Sequence, residues 1–396
     1  MMQISPETQL FIREHSSDDV RVLALQAKKY PDIDMPTAIT QIAGRKVAAE
    51  KIPSWWEIEK IWYPKHLSLE QCSSEITARY KARLLQGDSL TDLTGGFGID
   101  CSFLATGFKS ATYVERQEEL CEIAAHNFPV LNLNHINVRN ENGVAYLQTM
   151  SPVDCIFLDP ARRNEHGGKT VAISDCEPNV AELEALLLSK ANRVMIKLSP
   201  MLDLSLALKE LKQTQEVHIL SVNNECKELL ILLGQTSPAE ISIHCVNLFT
   251  KGTQKEQHFV FTREQEQCSE CTYTDSLETY LYEPNASLLK AGAFRSIAAA
   301  YPVRKLHPNS HLYTSDTFIE NFPGRIFRIV NQCSFNKKEV KENLADLKKA
   351  NVTVRNFPAT VAELRKRIHL AEGGDTYLFA STLNNGQKVI IRCEKV

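Results

Sequence analysis

Asp92-Leu93-Thr94-Gly95-Gly96-Phe97-Gly98-Ile99-Asp100 follows directly on the apolar run that begins at Ser89, and its reading decides the rest of the chain. Glycines placed straight after a strand let the backbone approach a ligand closely before a helix begins. The next predicted strand, Ala111 to Glu115, ends on an acid 17 positions beyond Gly98. A carboxylate there can accept hydrogen bonds from both hydroxyls of a ribose. Nicotinamide enzymes share this logic. Here, however, the glycines lack the GxGxxG spacing and an aspartate precedes them, and both points favour a different nucleoside cofactor.

Outward from that motif, short apolar runs alternate with helical stretches. Strands are predicted at His135–Arg139, Val153–Leu158 and Arg193–Leu198, with helices over Glu118–Asn127 and Val180–Lys190. Such alternation implies an α/β fold with a parallel sheet covered on both faces. Glu216–Val222 and Glu228–Leu233 are separated by too few residues for a helical crossover, so they are expected to pair antiparallel. The expected architecture is a Rossmann-like, mostly parallel seven-stranded sheet ending in an antiparallel hairpin. Residues 1–85 read as helices, with a third one over Trp55–Trp62 that places Trp55, Ile58, Ile61 and Trp62 on one face. All three tryptophans lie there, either as core or as a stacking surface for nucleic-acid bases. From Gly324 the order is strand, helix, strand, helix and two closing strands around the turn Asn384-Asn385-Gly386, a small α+β domain. The expected domains are 1–85, 86–275 and 276–396.

The chain has 396 residues, 43% hydrophobic and 23% charged, which excludes disordered, collagen-like and coiled-coil classes. No apolar run is long enough for a membrane helix, and the first residues lack a signal-peptide pattern, so no membrane partner is expected. Eleven scattered cysteines fit a reducing cytoplasm. Cys268-Ser269-Glu270-Cys271 is a single CxxC without a second pair at zinc spacing, His258 being a third donor, and no metal is expected. The net charge of −3 hides an asymmetry. From Asn321 onward there are 14 Lys+Arg against 7 Asp+Glu, leaving the preceding residues at −10. A basic tail points to a polyanionic partner.

In combination these motifs resemble the class I S-adenosylmethionine-dependent methyltransferases over roughly residues 86–235. The ordered pieces are DLTGGFGID, Glu115, Asn142-Gly143 after the third strand, Asp159-Pro160-Ala161-Arg162 after the fourth, and the terminal hairpin. SSEITARYKARLL (73–85) and the basic tail resemble bacterial methyltransferases with a carboxy-terminal THUMP-like domain, a type associated with RNA modification. The resemblance implies S-adenosylmethionine as cofactor and structured RNA (tRNA or rRNA) as partner. It places Asp92 near the methionine amino group and Thr94, Gly95, Gly96 and Gly98 under the cofactor. Asp100 caps the following helix or meets the methionine end. Glu115 holds the ribose, and Asn142-Gly143 either meets the adenine edge or simply makes a turn. Asp159 contacts the reacting end.

The catalytic candidates are Asp159, Pro160 and Arg162. Enzymes that methylate exocyclic amines carry two prolines and an aromatic after the acid, where this chain has Ala161 and Arg162. DPAR is closer to the DPPR of uridine carbon-5 methyltransferases. Their nucleophilic cysteine follows the fifth strand, where this chain reads Lys197-Leu198-Ser199-Pro200, with Cys176 the substitute nearest in sequence. Arg162 and Arg163 can instead clamp a phosphate. His166-Gly167-Gly168-Lys169 is a glycine loop that either orders over substrate or is a plain connection. Methyl transfer from a sulfonium needs an in-line nucleophile and removal of one proton, and Asp159 is the acid placed for it. Methylation of a small molecule or protein, and a cofactor-binding factor without catalysis, are the alternatives to an RNA methyltransferase.

Overall fold

The computed structural model describes residues 4–162 and 172–396. Six helices come first: α1 (Pro6–Glu14), α2 (Val20–Leu25), α3 (Met35–Lys51), α4 (Pro53–Trp56), α5 (His66–Gln71) and α6 (Glu75–Ala82). Ser5 and Asp34 cap α1 and α3 by accepting from the Thr8 and Thr37 N–H groups, each just ahead of a proline in the first turn. The helix expected through Trp62 stops at Trp56. Side-chain amides replace helical bonding beyond it: Asn127 brackets the Trp62 backbone at 2.8 and 2.9 Å, and Gln41 does the same for Tyr63. Trp55, Ile58, Ile61 and Trp62 nevertheless pack into one core, as the core reading has it. Trp55 packs with Ile61, Phe97 and Ile99 in one core, Trp62 stacks on His126 at 3.7 Å, and Trp56 is exposed.

The sheet region runs β1 (Ser89–Asp92), α7 (Ile99–Leu104), β2 (Ser110–Glu115), α8 (Glu118–Val130), β3 (Ile136–Asn140), α9 (Gly143–Thr149) and β4 (Val153–Leu158). A two-stranded ribbon, β5 (Ala161–Arg162) with β6 (Cys176–Glu177), precedes α10 (Val180–Lys190), β7 (Ala191–Leu198) and α11 (Leu204–Glu210). Then come β8 (Thr214–Val222), β9 (Glu225–Gly234), β10 (Ser242–Leu248), β11 (Glu256–Thr262) and α12 (Arg263–Cys268). The strand order is β11-β10-β8-β9-β7-β4-β1-β2-β3. Strands β1, β2, β3, β4 and β7 are parallel to their neighbours in this group, and β9 runs antiparallel to β7. Val194–Ile196 and Leu229–Leu233 are continuous apolar runs of at most 1% exposure, as a sheet covered on both faces requires. The sheet extends two strands past the seven expected, because the alternating segments 242–248 and 256–262 also pair. Between β1 and β4 the winding reverses, and the ends of these strands face the crevice where doubly wound sheets bind ligands.

The last region contains β12 (Tyr280–Pro284), α13 (Ala286–Ala291), α14 (Arg295–Ala300), β13 (Arg304–Lys305), β14 (Tyr313–Ser315), β15 (Gly324–Ser334) and α15 (Lys337–Leu344). It closes with β16 (Asn351–Val354), α16 (Val361–Ile368), β17 (Thr376–Thr382) and β18 (Lys388–Lys395). These strands form a second sheet in the order β13-β14-β12-β15-β18-β17-β16. Helix α15, expected from the sequence over Lys337–Ala350, ends at Leu344. Asp346 turns out to pair with the Arg392 guanidinium through both oxygens at 2.8 and 2.9 Å, and the Ala350 N–H donates to the Ala371 carbonyl at 3.0 Å. Compact packing divides the chain into Met1–Gln215 with Leu229–Pro238, and Glu216–Glu228 with Ala239–Val396. Among the described residues, no helix is long and apolar enough to cross a membrane.

Candidate functional site

The glycine segment turns sharply at the end of β1. Gly96 and Gly98 have φ of +53° and +86°, the left-handed region that only glycine adopts without strain. Gly95 must be glycine for a different reason: a Cβ would lie 2.2 Å from the Tyr113 ring. The Tyr113 hydroxyl in turn donates to the Gly96 carbonyl, fixing the loop against β2. At the end of β2 Glu115 is 8% exposed and accepts from the Gly96 and Gln117 N–H groups at 2.9 and 2.8 Å. These bonds hold its carboxylate beside the glycine loop.

Asp92 ends β1 with no exposed surface. Its Oδ1 accepts from the Thr94 N–H at 3.0 Å, while Oδ2 is buried with no hydrogen-bond partner among the described residues. Burial pushes this carboxyl well above the usual range, and the neighbouring acids Asp100, Asp159 and Glu115 push the same way. Such a group is stabilised by any cation brought to Oδ2. Thr94 Oγ1 accepts from the Asp159 N–H at 2.6 Å, so one side chain ties the end of β1 to the segment after β4.

Behind the loop lies an ionic network that residues 73–85 help to build. Lys81, wholly buried on α6, contacts Asp100 Oδ1 at 2.9 Å and donates to Ser73 Oγ at 2.9 Å. Ser73 Oγ donates to Asp100 Oδ2 at 2.7 Å, and Lys197 Nζ lies 3.5 Å from the same oxygen. Burial acts to raise the Asp100 carboxyl, but the two ammoniums prevail and hold it below the usual range. Lys197, near the end of β7, also donates to Asp159 Oδ2. The Asp159 side chain keeps 36% of its surface open, yet desolvation raises its carboxyl above the ordinary value against the pull of Lys197.

The structure thus brings Asp92, Thr94, Gly95, Gly96, Gly98, Asp100, Glu115 and Asp159 together at the carboxyl ends of the interior strands β1, β2 and β4. Asp100 does not cap α7, whose N-cap is Gly98; its carboxylate is engaged by lysines. Asn142 Oδ1 accepts from the Val144 and Ala145 N–H groups, so the amide oxygen caps α9 instead of standing ready for a ligand. Gly143 is set by packing, since a Cβ would lie 2.1 Å from the Leu93 carbonyl oxygen. Pro160 joins β4 to the ribbon, and Arg162 contributes backbone to β5 opposite Cys176. The Arg162 side chain, Arg163 and the His166–Lys169 loop lie outside the described residues. Cys176 is 1% exposed, which argues against a nucleophile there, and burial pushes the Cys72 thiol beside the network up to about 11.

Lys81, Ser73 and Lys197 carry no role in the sequence reading. Ser73 and Lys81 fall inside SSEITARYKARLL and Lys197 opens the KLSP segment, but nothing local marks either lysine as buried.

The crystal structure of a methyltransferase candidate from Porphyromonas gingivalis W83 matches the whole of both chains, at 34% identity and a TM-score of 0.88. An rRNA methylase from Streptococcus thermophilus matches 40% of this chain and 93% of its own at 14% identity and a TM-score of 0.30. A methyltransferase candidate from Streptococcus mutans, solved in complex with SAH, matches 40% of this chain and 96% of its own at 12% identity and a TM-score of 0.30. No curated protein matches the chain. Residues 280–323 match a ferredoxin-like domain, and residues 324–395 a THUMP domain-like model. The chain belongs to the class I methyltransferase family whose members end in a THUMP-like domain.

Proposed function

We propose that this protein uses S-adenosylmethionine to methylate a base in structured RNA. The observation that carries the cofactor assignment is the buried, unpartnered Oδ2 of Asp92 beneath a glycine loop whose far side is held by Glu115. An ammonium at Oδ2 and a ribose at Glu115 fit what these two acids lack and offer. S-Adenosylmethionine, when bound, supplies an electrophilic methyl group on a sulfonium. Asp92 binds the methionine ammonium, Glu115 orients the ribose, and Gly95 and Gly96 keep side-chain bulk out of the way. Asn142 shapes the adenine end through α9, which it caps.

Asp159 stands at the reacting end. Desolvation makes it a better proton acceptor than an ordinary aspartate, because its raised affinity for a proton is nearer that of the group it relieves. Lys197 fixes the direction of the carboxylate and keeps it available. Pro160 and Arg162 follow as positioning residues for substrate. The RNA assignment rests on the THUMP-like match and on the basic tail, in which Lys337, Lys338, Lys341, Lys366 and Arg367 are exposed on α15 and α16. In this reading residues 1–85 brace the catalytic region, 86–275 hold the cofactor, and 276–396 grip RNA in a cytoplasmic setting.

Calorimetric titration with S-adenosylhomocysteine tests the cofactor site. Glu115→Ala is expected to weaken binding by roughly ten- to a hundredfold, as loss of charge-assisted hydrogen bonds does. Equal affinity in wild type and Glu115→Ala, or no binding to wild type, contradicts the assignment.

A further inference from the structure

Away from the cofactor crevice, β8, β10 and β11 bring four chemistry-bearing side chains to one sheet face. His218 on β8 is the direct register partner of His244 on β10. His258 on β11 pairs with Val246, two residues from His244, so the period of two places it on the same side. Glu216 precedes His218 by two and shares that side too. The rings of His218 and His244 stack with centroids 4.3 Å apart, and His244 Nδ1 lies 3.1 Å from His258 Nε2. Glu216 Oε2 is 3.3 Å from His218 Nε2. One donor atom from each of Glu216, His218 and His244 falls within 4.8 Å of the others.

We propose that Glu216, His218 and His244 form a site for a borderline divalent cation of the zinc type, with His258 as the hydrogen-bond partner that positions His244. Two imidazoles and one carboxylate are the donor set of such ions, whereas magnesium and calcium demand oxygen ligands. The spacing is close to what is needed. Bonds of about 2.0–2.1 Å to a tetrahedral ion place adjacent donors about 3.4 Å apart, and Glu216 and His218 already stand at 3.3 Å. Closing the third donor onto the ion requires the His244 ring to turn out of its stack. The His258 contact at Nδ1 leaves His244 Nε2 to the metal, the arrangement by which an outer partner fixes a ligand's tautomer. The ion ties β8 to β10. This assignment does not depend on the methyltransferase reaction.

The full-length protein, stripped by a chelator and dialysed, is titrated with Zn2+ alone and with Co2+ alone. The expected result is one equivalent bound at micromolar or tighter affinity, a higher unfolding temperature with Zn2+, and a Co2+ spectrum without a thiolate charge-transfer band. His244→Ala is expected to weaken binding at least about a hundredfold, and His258→Ala by about tenfold, as loss of an outer partner does. Glu216→Gln, a surface-near change, is expected to weaken it as well, so a folding defect in one variant does not blunt the test. Identical affinity in wild type, His244→Ala and Glu216→Gln overturns the proposal. So does loss of binding in Cys268→Ser/Cys271→Ser with the histidine variants unaffected, or no binding by wild type at about 100 μM metal.

Discussion

In the proposed reading, Asp92 turns a cost in the free protein into specificity for a cation. Its carboxyl is buried, bonded on one oxygen and unpartnered on the other, and its proton affinity is raised. A carboxyl with a raised folded-state pKa contributes stability that is present at low pH and lost as pH rises from the unfolded value of about 3.9 through the folded one. The same proton must leave before an ammonium can bind. Binding of S-adenosylhomocysteine is therefore expected to strengthen with pH, by up to about tenfold per unit below the raised pKa, and then level off. In Asp92→Asn the profile is expected to be flat and the affinity low, with no fall in the unfolding temperature of the free protein. A wild-type profile without slope contradicts this role.

Asp159 and Lys197 make the complementary case. Lys197→Met is expected to leave cofactor affinity within about threefold while lowering the transfer rate by about 10²-fold or more, the scale of a lost proton-transfer arrangement; unchanged turnover contradicts it. The glycines and acids of this site were legible because their chemistry is local, a turn or a strand end. Lys197 and Lys81 were not, because a lysine in a strand or a helix looks like a solvated charge until the fold buries it against an aspartate distant in sequence.

Helix α6 is where that buried charge matters structurally. Lys81 on α6 and Asp100 on α7 form a contact with no exposed surface on the lysine and 11% on the aspartate side chain. Removing one partner of a buried pair leaves the other uncompensated and typically costs about 3–5 kcal/mol. Lys81→Ala is expected to destabilise by that order, read from denaturant midpoints, whereas a change below about 1 kcal/mol contradicts the network. The Asp100 carboxyl is held low, so its share of stability is present above about pH 4 and is lost as pH falls through the lowered folded value. Element types and most bounds were readable from periodicity and caps, the strand expected over Thr376–Thr382 being β17 itself. The failures came where tertiary bonds replaced local ones, as when Asn127 and Gln41 bind the backbone after α4, or when Asp346 meets Arg392 after α15.

For the whole molecule, the informative quantity is the distribution of charge. A net charge of −3 conceals a tail of 14 basic against 7 acidic residues. Part of that charge is internal, since Arg325 and Arg355 both engage the buried Glu283 at 2% side-chain exposure. The exposed remainder on α15 and α16 is what an RNA backbone would meet. Lys337→Glu/Lys341→Glu/Lys366→Glu is expected to weaken RNA binding by at least about tenfold at 0.1 M salt and to flatten its salt dependence, with S-adenosylhomocysteine affinity unchanged. RNA affinity indifferent to both salt and these charges contradicts the tail's role.

The most direct measurement is transfer of labelled methyl groups from S-adenosylmethionine to RNA taken from cells lacking this gene, with wild type and Asp159→Ala compared at equal cofactor occupancy. Label entering RNA with the wild type and falling at least about 10²-fold with Asp159→Ala is the predicted result. No label in RNA from a wild-type preparation that binds S-adenosylhomocysteine contradicts an RNA methyltransferase, and equal labelling by both proteins contradicts the part given to Asp159.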